Sequence, residues 1–298
     1  MTPLKPAARF LMCRPEHFAV SYTINPWMDP PAWARDGSLH SAAAHREWNT
    51  LYRTLLEHGA AVDLVPPAAG VPDLVFTANA AVVLDRKVLL ARFRHPERQA
   101  EEPHFEDAFN RLKARGLVDT VRRLPDGVVL EGAGDCVFDH GRNMFWLGYG
   151  QRSDAAAQRA VEEVFGVEVT PLELADPRFY HMDTALSPLP RGEVMYVPEA
   201  FTAAGLATIR ARVPRSKRIE VGTADAEKLA ANAVCLGDTL IMAGCGERLR
   251  GALEERGYHV ATTPLRSFLK SGGAAFCLTL RLDRRSRPGT AIAQAAVA

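Results

Sequence analysis

The sequence predicts an α/β fold built of five strand–strand–helix units, the signature of a propeller or an array rather than of separate domains. Three observations predict it. Two short apolar strands joined by a polar or glycine-bearing turn, then a helix, recur along the chain. The most chemically distinctive residue near the start of each unit, namely Asn79, Glu131, His181, Asn232 and Cys277, recurs at separations of 52, 50, 51 and 45 positions. The 298 residues, 47% hydrophobic and 24% charged, suffice for a large, internally repetitive core. Closure of five units would face matching positions toward a common pocket. Asn79, Glu131, His181 and Cys277 would then meet although up to 198 positions separate them.

The elements follow in order. Residues 10–13 (F-L-M-C) read as a first strand, followed by the irregular Y-T-I-N-P-W-M of residues 22–28. Ser41 is placed to cap a helix whose apolar face is Trp48, Leu51, Leu55 and Leu56, ended by Gly59. Residues 62–65 form a short strand. The next unit has strands at 81–84 and 88–90, a loop with Arg92, Arg94 and Arg98, and a helix bearing Phe105, Phe109 and Leu112. The third has strands at 136–138 and 144–147, Arg152 in a loop, and a helix over 153–165 closed by Gly166. Strands at 184–186 and 194–197 precede a helix after Pro198; strands at 232–236 and 239–242 precede one bearing Leu249 and Leu253. A last, shortened copy opens at Cys277, where Leu278, Leu280 and Leu282 alternate with Thr279 and Arg281 as a strand with one buried face. Residues 1–282 are expected to form a single propeller domain, and residues 283–298 a C-terminal tail, either disordered or capping it.

Composition narrows the function classes. Net charge is +1, with no basic run outside 281–287, so nothing resembles a nucleic-acid footprint. Lys5, Arg9 and Arg14 interrupt any signal-type apolar segment, and no apolar run reaches membrane-spanning length. The five cysteines are odd in number, scattered and without a C-x-x-C pair, which fits a reducing cytoplasm better than a disulfide framework or structural zinc.

Chemistry is sought where the repeat gathers residues. Gly272 and Gly273 leave room for close approach beside Cys277, whose thiol is either a nucleophile facing a pocket or a packed small hydrophobe. With His181 to handle protons, the pair suggests covalent catalysis, and Glu131 or Asp183 could orient the imidazole. His181 is otherwise a hydrogen-bonded core histidine, and Glu131 a turn carboxylate. Asp183 has the phase to share a strand face with His181. A metal is the rival for the His-x-Asp pair, but no second histidine lies at ligand spacing. Acceptors at Asp73, Asn79 and Glu131, with Arg98 and Arg152 at the rim, suit a small molecule with a cationic head and a carboxylate tail. The alternative for the two arginines is solvated loop charge.

Four motifs, P-D-L-V-F-T-A-N-A (72–80), L-E-G-A-G-D (130–135), F-Y-H-M-D-T (179–184) and G-G-A-A-F-C-L-T-L-R (272–281), resemble those of the guanidine-modifying superfamily. That superfamily includes arginine deiminases, dimethylarginine dimethylaminohydrolases, amidinotransferases and arginine dihydrolases. The resemblance covers nearly the whole chain in the same motif order, and implies the pentein form of the five-bladed propeller. Carried over by motif, it implies Cys277 as nucleophile, His181 as general acid/base, and Glu131 and Asp183 as carboxylates around the guanidinium and histidine. It further implies Arg98 and Arg152 on the substrate carboxylate and Asp73 near its α-amino group. Y-T-I-N-P-W-M and F-T-A-N-A look most similar to arginine dihydrolases, whose substrate-binding asparagines fall on Asn25 and Asn79. Deiminases and dimethylarginine hydrolases typically carry aspartate where Asn79 stands. A neutral amide, having both donor and acceptor, suits arginine first and citrulline next. The resemblance therefore implies hydrolysis of a guanidino C–N bond through a covalent thiouronium, carried to ornithine, carbon dioxide and two ammonia, without metal or organic cofactor. Asn232 and Cys245 are read as structural. The expected partner is a small guanidino substrate, with no nucleic acid or membrane, and a homo-oligomer is compatible. Rival expectations are an enzyme that stops at citrulline, a methylarginine hydrolase, an amidinotransferase and a non-catalytic propeller.

Overall fold

The computed structural model describes residues 8–287. Its strands form five separate three-stranded sheets. Strand β1 (Arg9–Cys13) runs parallel to β2 (Ala61–Val65) across the helix Gly37–Glu57. The next sheet joins β3 (Ala81–Leu84), β4 (Lys87–Leu90) and β5 (Thr120–Arg122). Then come β6 (Cys136–Asp139), β7 (Met144–Tyr149) and β8 (Val169–Glu173), followed by β9 (Leu186–Pro188), β10 (Val194–Tyr196) and β11 (Arg218–Glu220). The last complete run is β12 (Val234–Leu236), β13 (Thr239–Met242) and β14 (His259–Thr262). In each, the first pair is antiparallel and the second parallel, the latter requiring a helical crossover. Strand β15 (Leu280–Arg281) completes the first sheet by pairing antiparallel to β1, with Leu11 opposite Leu280. The shortened fifth copy is thus finished by the chain's own beginning, which closes the α/β propeller.

The helices bury most of the faces their periodicity foretells: Trp48, Leu51 and Leu55, but not the expected Leu56, which is exposed near the helix end; Phe105, Phe109 and Leu112; Leu249 and Leu253. Some boundaries differ, each for a local reason. The first long helix begins at Gly37, with His40 N–H already on Asp36 O, so Ser41 lies inside it and caps nothing. The third-unit helix begins at Ala157, because Ser153 is spent on hydrogen bonds to Glu131 N and Asp135 Oδ2. Ahead of the inner strands sit short helical turns, Thr77–Ala80, Gly132–Asp135 and Met182–Ala185. Asp183 therefore lies in a turn rather than on a strand face with His181. Cys277 also lies in a turn: Leu278 N–H reaches Ala274 O, and Thr279 Oγ1 bonds Ala275 O. The expected strand there shrinks to Leu280–Arg281.

Beyond Leu282 the chain crosses the base of the propeller. Arg9 N–H donates to Asp283 Oδ1 at 2.9 Å, Asp85 N–H to Arg284 O at 3.0 Å, and Arg287 N–H to Asn143 Oδ1 at 2.6 Å. The rest of the expected tail, 288–298, lies outside the described residues.

Candidate active site

The turns ahead of the inner strands bring the five repeat residues into one ring of contacts. Asn79 Nδ2 donates to Glu131 O at 3.5 Å, and His181 Nε2 lies 2.7 Å from Glu131 Oε2. Asn232 Nδ2 donates to Asp183 O at 3.2 Å and to Cys277 Sγ at 3.1 Å, and Cys277 O accepts from Ala78 N–H at 3.1 Å, one residue from Asn79. Glycine permits this convergence. Gly132, at φ +61, would place a Cβ 2.7 Å from Asn79 O, and a Cβ on Gly134 would collide with Asn79 Nδ2. The small residues before Cys277 make room for protein: a Cβ on Gly273 would lie 2.5 Å from Phe76, and one on Gly272 2.8 Å from Trp27 and Tyr180.

Partners fix the histidine tautomer. Arg98 donates to Asn79 Oδ1 at 2.9 Å, so the Asn79 amide presents its NH₂ to His181 Nδ1, 3.4 Å away. Nδ1 is therefore the acceptor, and Nε2 carries the proton donated to Glu131. Burial, resisted by the Glu131 hydrogen bond and reinforced by the charges of Arg152 and Arg98, pushes the imidazole down to about 4. His181 is therefore neutral here and supplies no positive charge to the thiol. Burial opposes ionisation of Glu131 too, but Arg152, His181 and Arg98 outweigh it and hold that carboxyl well below the usual range.

Around the thiol the balance reverses. Burial, with Asp183 beside it, raises the Cys277 thiol well above its ordinary value, and Sγ–H donates to Asp183 Oδ2 at 3.1 Å. Burial raises Asp183 to about 7 against the hydrogen bonds that favour its anion. Its other oxygen, Oδ1, is buried without any hydrogen-bond partner. Asn232 is the residue that sequence reasoning undervalued. Its Oδ1 accepts from the N–H groups of Ala274, Phe276 and Cys277 at 3.0–3.1 Å, while its Nδ2 reaches the sulfur. Its place in the 50-residue recurrence was the available signal. Cys245 makes no contact with the ring in the described hydrogen bonds.

The two arginines sit deeper than expected. Arg98 is 3% exposed and held bidentately by Glu101; Arg152 is 2% exposed, bonds Glu131 Oε2 and Ile24 O, and lies over the Tyr180 ring. They are core cations with carboxylate partners, not rim or solvated charges. Glu101 and Tyr180 carry no sequence signal of this. Asp73 accepts from Tyr22 OH at 2.8 Å and Ser271 Oγ at 3.3 Å, and Asn25 Nδ2 donates to Ser271 O at 3.1 Å. With Trp27 Nε1 on Arg178 O, these bonds lay the segment 22–27 over the cluster. Cys277, His181, Glu131, Asp183 and Asn79 are each at most 2% exposed. No group of three or more metal-ligating side chains stands at metal-holding geometry among the described residues.

A family model described as N,N dimethylarginine dimethylhydrolase, eukaryotic, matches residues 14–284. The chain belongs to that family. It is 45% identical over 283 residues to the bifunctional arginine dihydrolase/ornithine cyclodeaminase ArgZ of Synechocystis sp., covering 94% of this chain and 38% of that one. It is 36% identical over 274 residues to the N(G),N(G)-dimethylarginine dimethylaminohydrolase of Mycobacterium tuberculosis, covering 92% and 85%. The chain thus spans only 38% of the length of the bifunctional ArgZ and AgrE proteins. Among solved structures, it superposes on the N-terminal domain of ArgZ, as a cysteine-to-serine mutant bound to substrate, with TM-score 0.87 and 42% identity over 93% of this chain and 99% of that one. The match confirms the α/β-propeller class.

Proposed function

We propose that the chain is a cysteine-dependent hydrolase of the guanidino C–N bond, of the arginine dihydrolase type, converting arginine to ornithine, carbon dioxide and two ammonia. The observation that carries this is Asp183. A buried carboxyl with one oxygen on the Cys277 thiol and the other unpartnered is a vacant acceptor for a cationic N–H group beside a nucleophile. In support, relatives named arginine dihydrolases have been solved with substrate, and one covalently bound to a reaction intermediate.

Arginine enters when the segment 22–27 swings away, and its guanidinium satisfies Asp183 Oδ1. Its positive charge favours both the Asp183 carboxylate and the Cys277 thiolate, which burial otherwise suppresses. The thiol proton passes to His181 Nδ1 as sulfur bonds to the guanidino carbon. The imidazolium so formed is held at Nε2 by Glu131. It returns the proton to the departing nitrogen, ammonia leaves, and a thiouronium remains on Cys277. Water then attacks the same carbon, giving one proton to Nδ1; the C–S bond breaks, Nδ1 returns that proton to the sulfur, and the oxygen loses the second water proton to solvent as the ureido product leaves. The Asn79 amide, whose donor side faces the site, suits the neutral ureido oxygen and permits a second round.

Arg152 is the stronger anchor for the substrate carboxylate. It spends two donors, on Glu131 and Ile24 O, whereas Arg98 spends four, on Glu101 twice, Asn79 and Asp73 O. A guanidinium has five in all. On this reading Asp73 receives the α-amino group, and Asn25 is a further substrate-binding residue. No helix among the described residues is long and apolar enough to cross a membrane. The reading places the enzyme in the cytoplasm, supported by five cysteines all present as free thiols.

Incubation with arginine, citrulline, dimethylarginine and agmatine, followed by mass analysis, tests the assignment. Ornithine without accumulating citrulline is expected. Dimethylamine release would instead assign the methylarginine hydrolase activity that the family name suggests, and citrulline as end product a deiminase.

A further inference from the structure

The inner strands line two sides of the propeller's centre, and only one carries the catalytic ring. Behind the turn that holds Cys277 lie two adjoining cavities that share Phe276, Arg281 and Arg284. Their walls come from all five inner strands, as at Val82, Val137, Ser187, Cys235 and Leu280. Each offers about 20 Å³, room for about one water. A third, outer cavity of about 320 Å³ shares Cys235, Arg281 and Arg284 and adds His140 and Arg285. Phe276 and Thr279 face the inner cavities while Cys277 Sγ faces Asp183, so this space lies across the nucleophile turn from the catalytic cluster.

The charges here do not balance. Arg281 is held by Asp283 at 2.6 and 3.0 Å and donates to Cys235 O. The other nearby carboxylate, Asp139, is taken by Arg142 and Trp146 Nε1. The Arg284 backbone is fixed by Asp85 N–H, yet its guanidinium makes no hydrogen bond or ion pair among the described residues, although it lines all three cavities. Burial first, then the Arg281 charge, pulls Arg284 down to about 10, which leaves it a cation at neutral pH. A half-buried guanidinium with idle donors beside a cavity, near two further arginines and two carboxylates already engaged elsewhere, is an electrostatic vacancy for an anion.

We propose that the outer cavity binds a small oxyanion, a phosphate or a carboxylate, held by the Arg284 guanidinium with Arg281 and Arg285 adding positive charge. None of these residues belongs to the catalytic ring, so the proposal stands apart from the hydrolase reading. Inorganic phosphate and acetate, each titrated against chloride at constant ionic strength, test it by thermal denaturation. A ligand that binds only the folded state raises Tm saturably. Saturable stabilisation is expected from at least one anion, and the one with the lower Kd names the source. Arg284→Gln should weaken it by about tenfold or more, the loss of a charge-assisted bidentate contact. The same stabilisation in Arg284→Gln would assign the effect elsewhere and overturn the proposal. Should that variant fail to fold, wild-type crystals soaked in selenate decide. An anomalous peak within hydrogen-bond distance of Arg284 supports the site, and its absence overturns it.

Discussion

Asn232→Ala is the perturbation whose consequences the structure specifies most fully. The side chain is wholly buried, and its Oδ1 accepts from three backbone N–H groups of the nucleophile turn. Phe276 N–H keeps a second acceptor in Asn232 O and Ala274 N–H keeps the Cys277 sulfur, but the Cys277 N–H loses the only backbone or side-chain acceptor it is shown to have. One buried unsatisfied donor costs about 1–3 kcal/mol. For a chain of this size that corresponds to a Tm fall of roughly 2–5 °C. The amide donor to Sγ also helps the thiolate, so its loss should slow both turnover and inactivation by a thiol-alkylating reagent. Asn232→Asp separates the two roles. It keeps an acceptor for the turn but replaces the amide donor with a carboxyl that donates only while protonated, so its activity should decline with rising pH more steeply than that of the wild type. An Asn232→Ala protein with Tm within about 1 °C of wild type and unchanged kcat would refute the positioning role.

His181→Ala should lower kcat by about a hundred- to ten-thousand-fold while still allowing a covalent adduct to be trapped, and near-normal steady-state rates would rule the role out. Arginine binding should release protons near pH 7, because burial raises Asp183 to about 7 and the guanidinium favours its anion. Calorimetry in buffers of different ionisation enthalpy reads this, and a buffer-independent enthalpy would contradict it. Stability should carry the opposite signatures of two groups. His181, lowered to about 4 from an unfolded value of about 6.5, contributes stability that is present above the latter and lost as pH falls through the former. Asp183, raised from an unfolded value of about 3.9, contributes stability present below that value and lost as pH rises through about 7. Asp183→Asn removes the second effect, so its Tm relative to wild type should rise between about pH 5 and about pH 8. A constant difference would show that Asp183 does not titrate in that window.

The repeat and the ring of residues it gathers were legible because Asn79, Glu131, His181, Asn232 and Cys277 each mark the same structural position. Their spacing survives even where the letters around them do not. Local conformation at those positions was less legible. The alternation after Cys277 and the His-x-Asp phase both read as strand, yet tertiary contacts wind each into a helical turn, which is what points Cys277 and Asp183 at one another. The depth of Arg98 and Arg152 was hidden for a related reason. Their counter-charges lie within the same units, Glu101 three residues after Arg98 and Glu131 ahead of the strands that lead to Arg152, but spacing alone does not report that both pairs are buried in the core. Asn232 shows the converse, a position marked by the repeat whose role depends on backbone N–H groups, which no side-chain motif reports.

The central claim is that the sulfur of Cys277 bonds to the guanidino carbon. Acid-quenching the enzyme during turnover of arginine, then peptide mass spectrometry, tests it most directly. A mass increase equal to arginine less ammonia is predicted on the peptide containing Cys277, absent from Cys277→Ala, which should be inactive. Turnover by Cys277→Ala, or an adduct on another residue, would contradict the account.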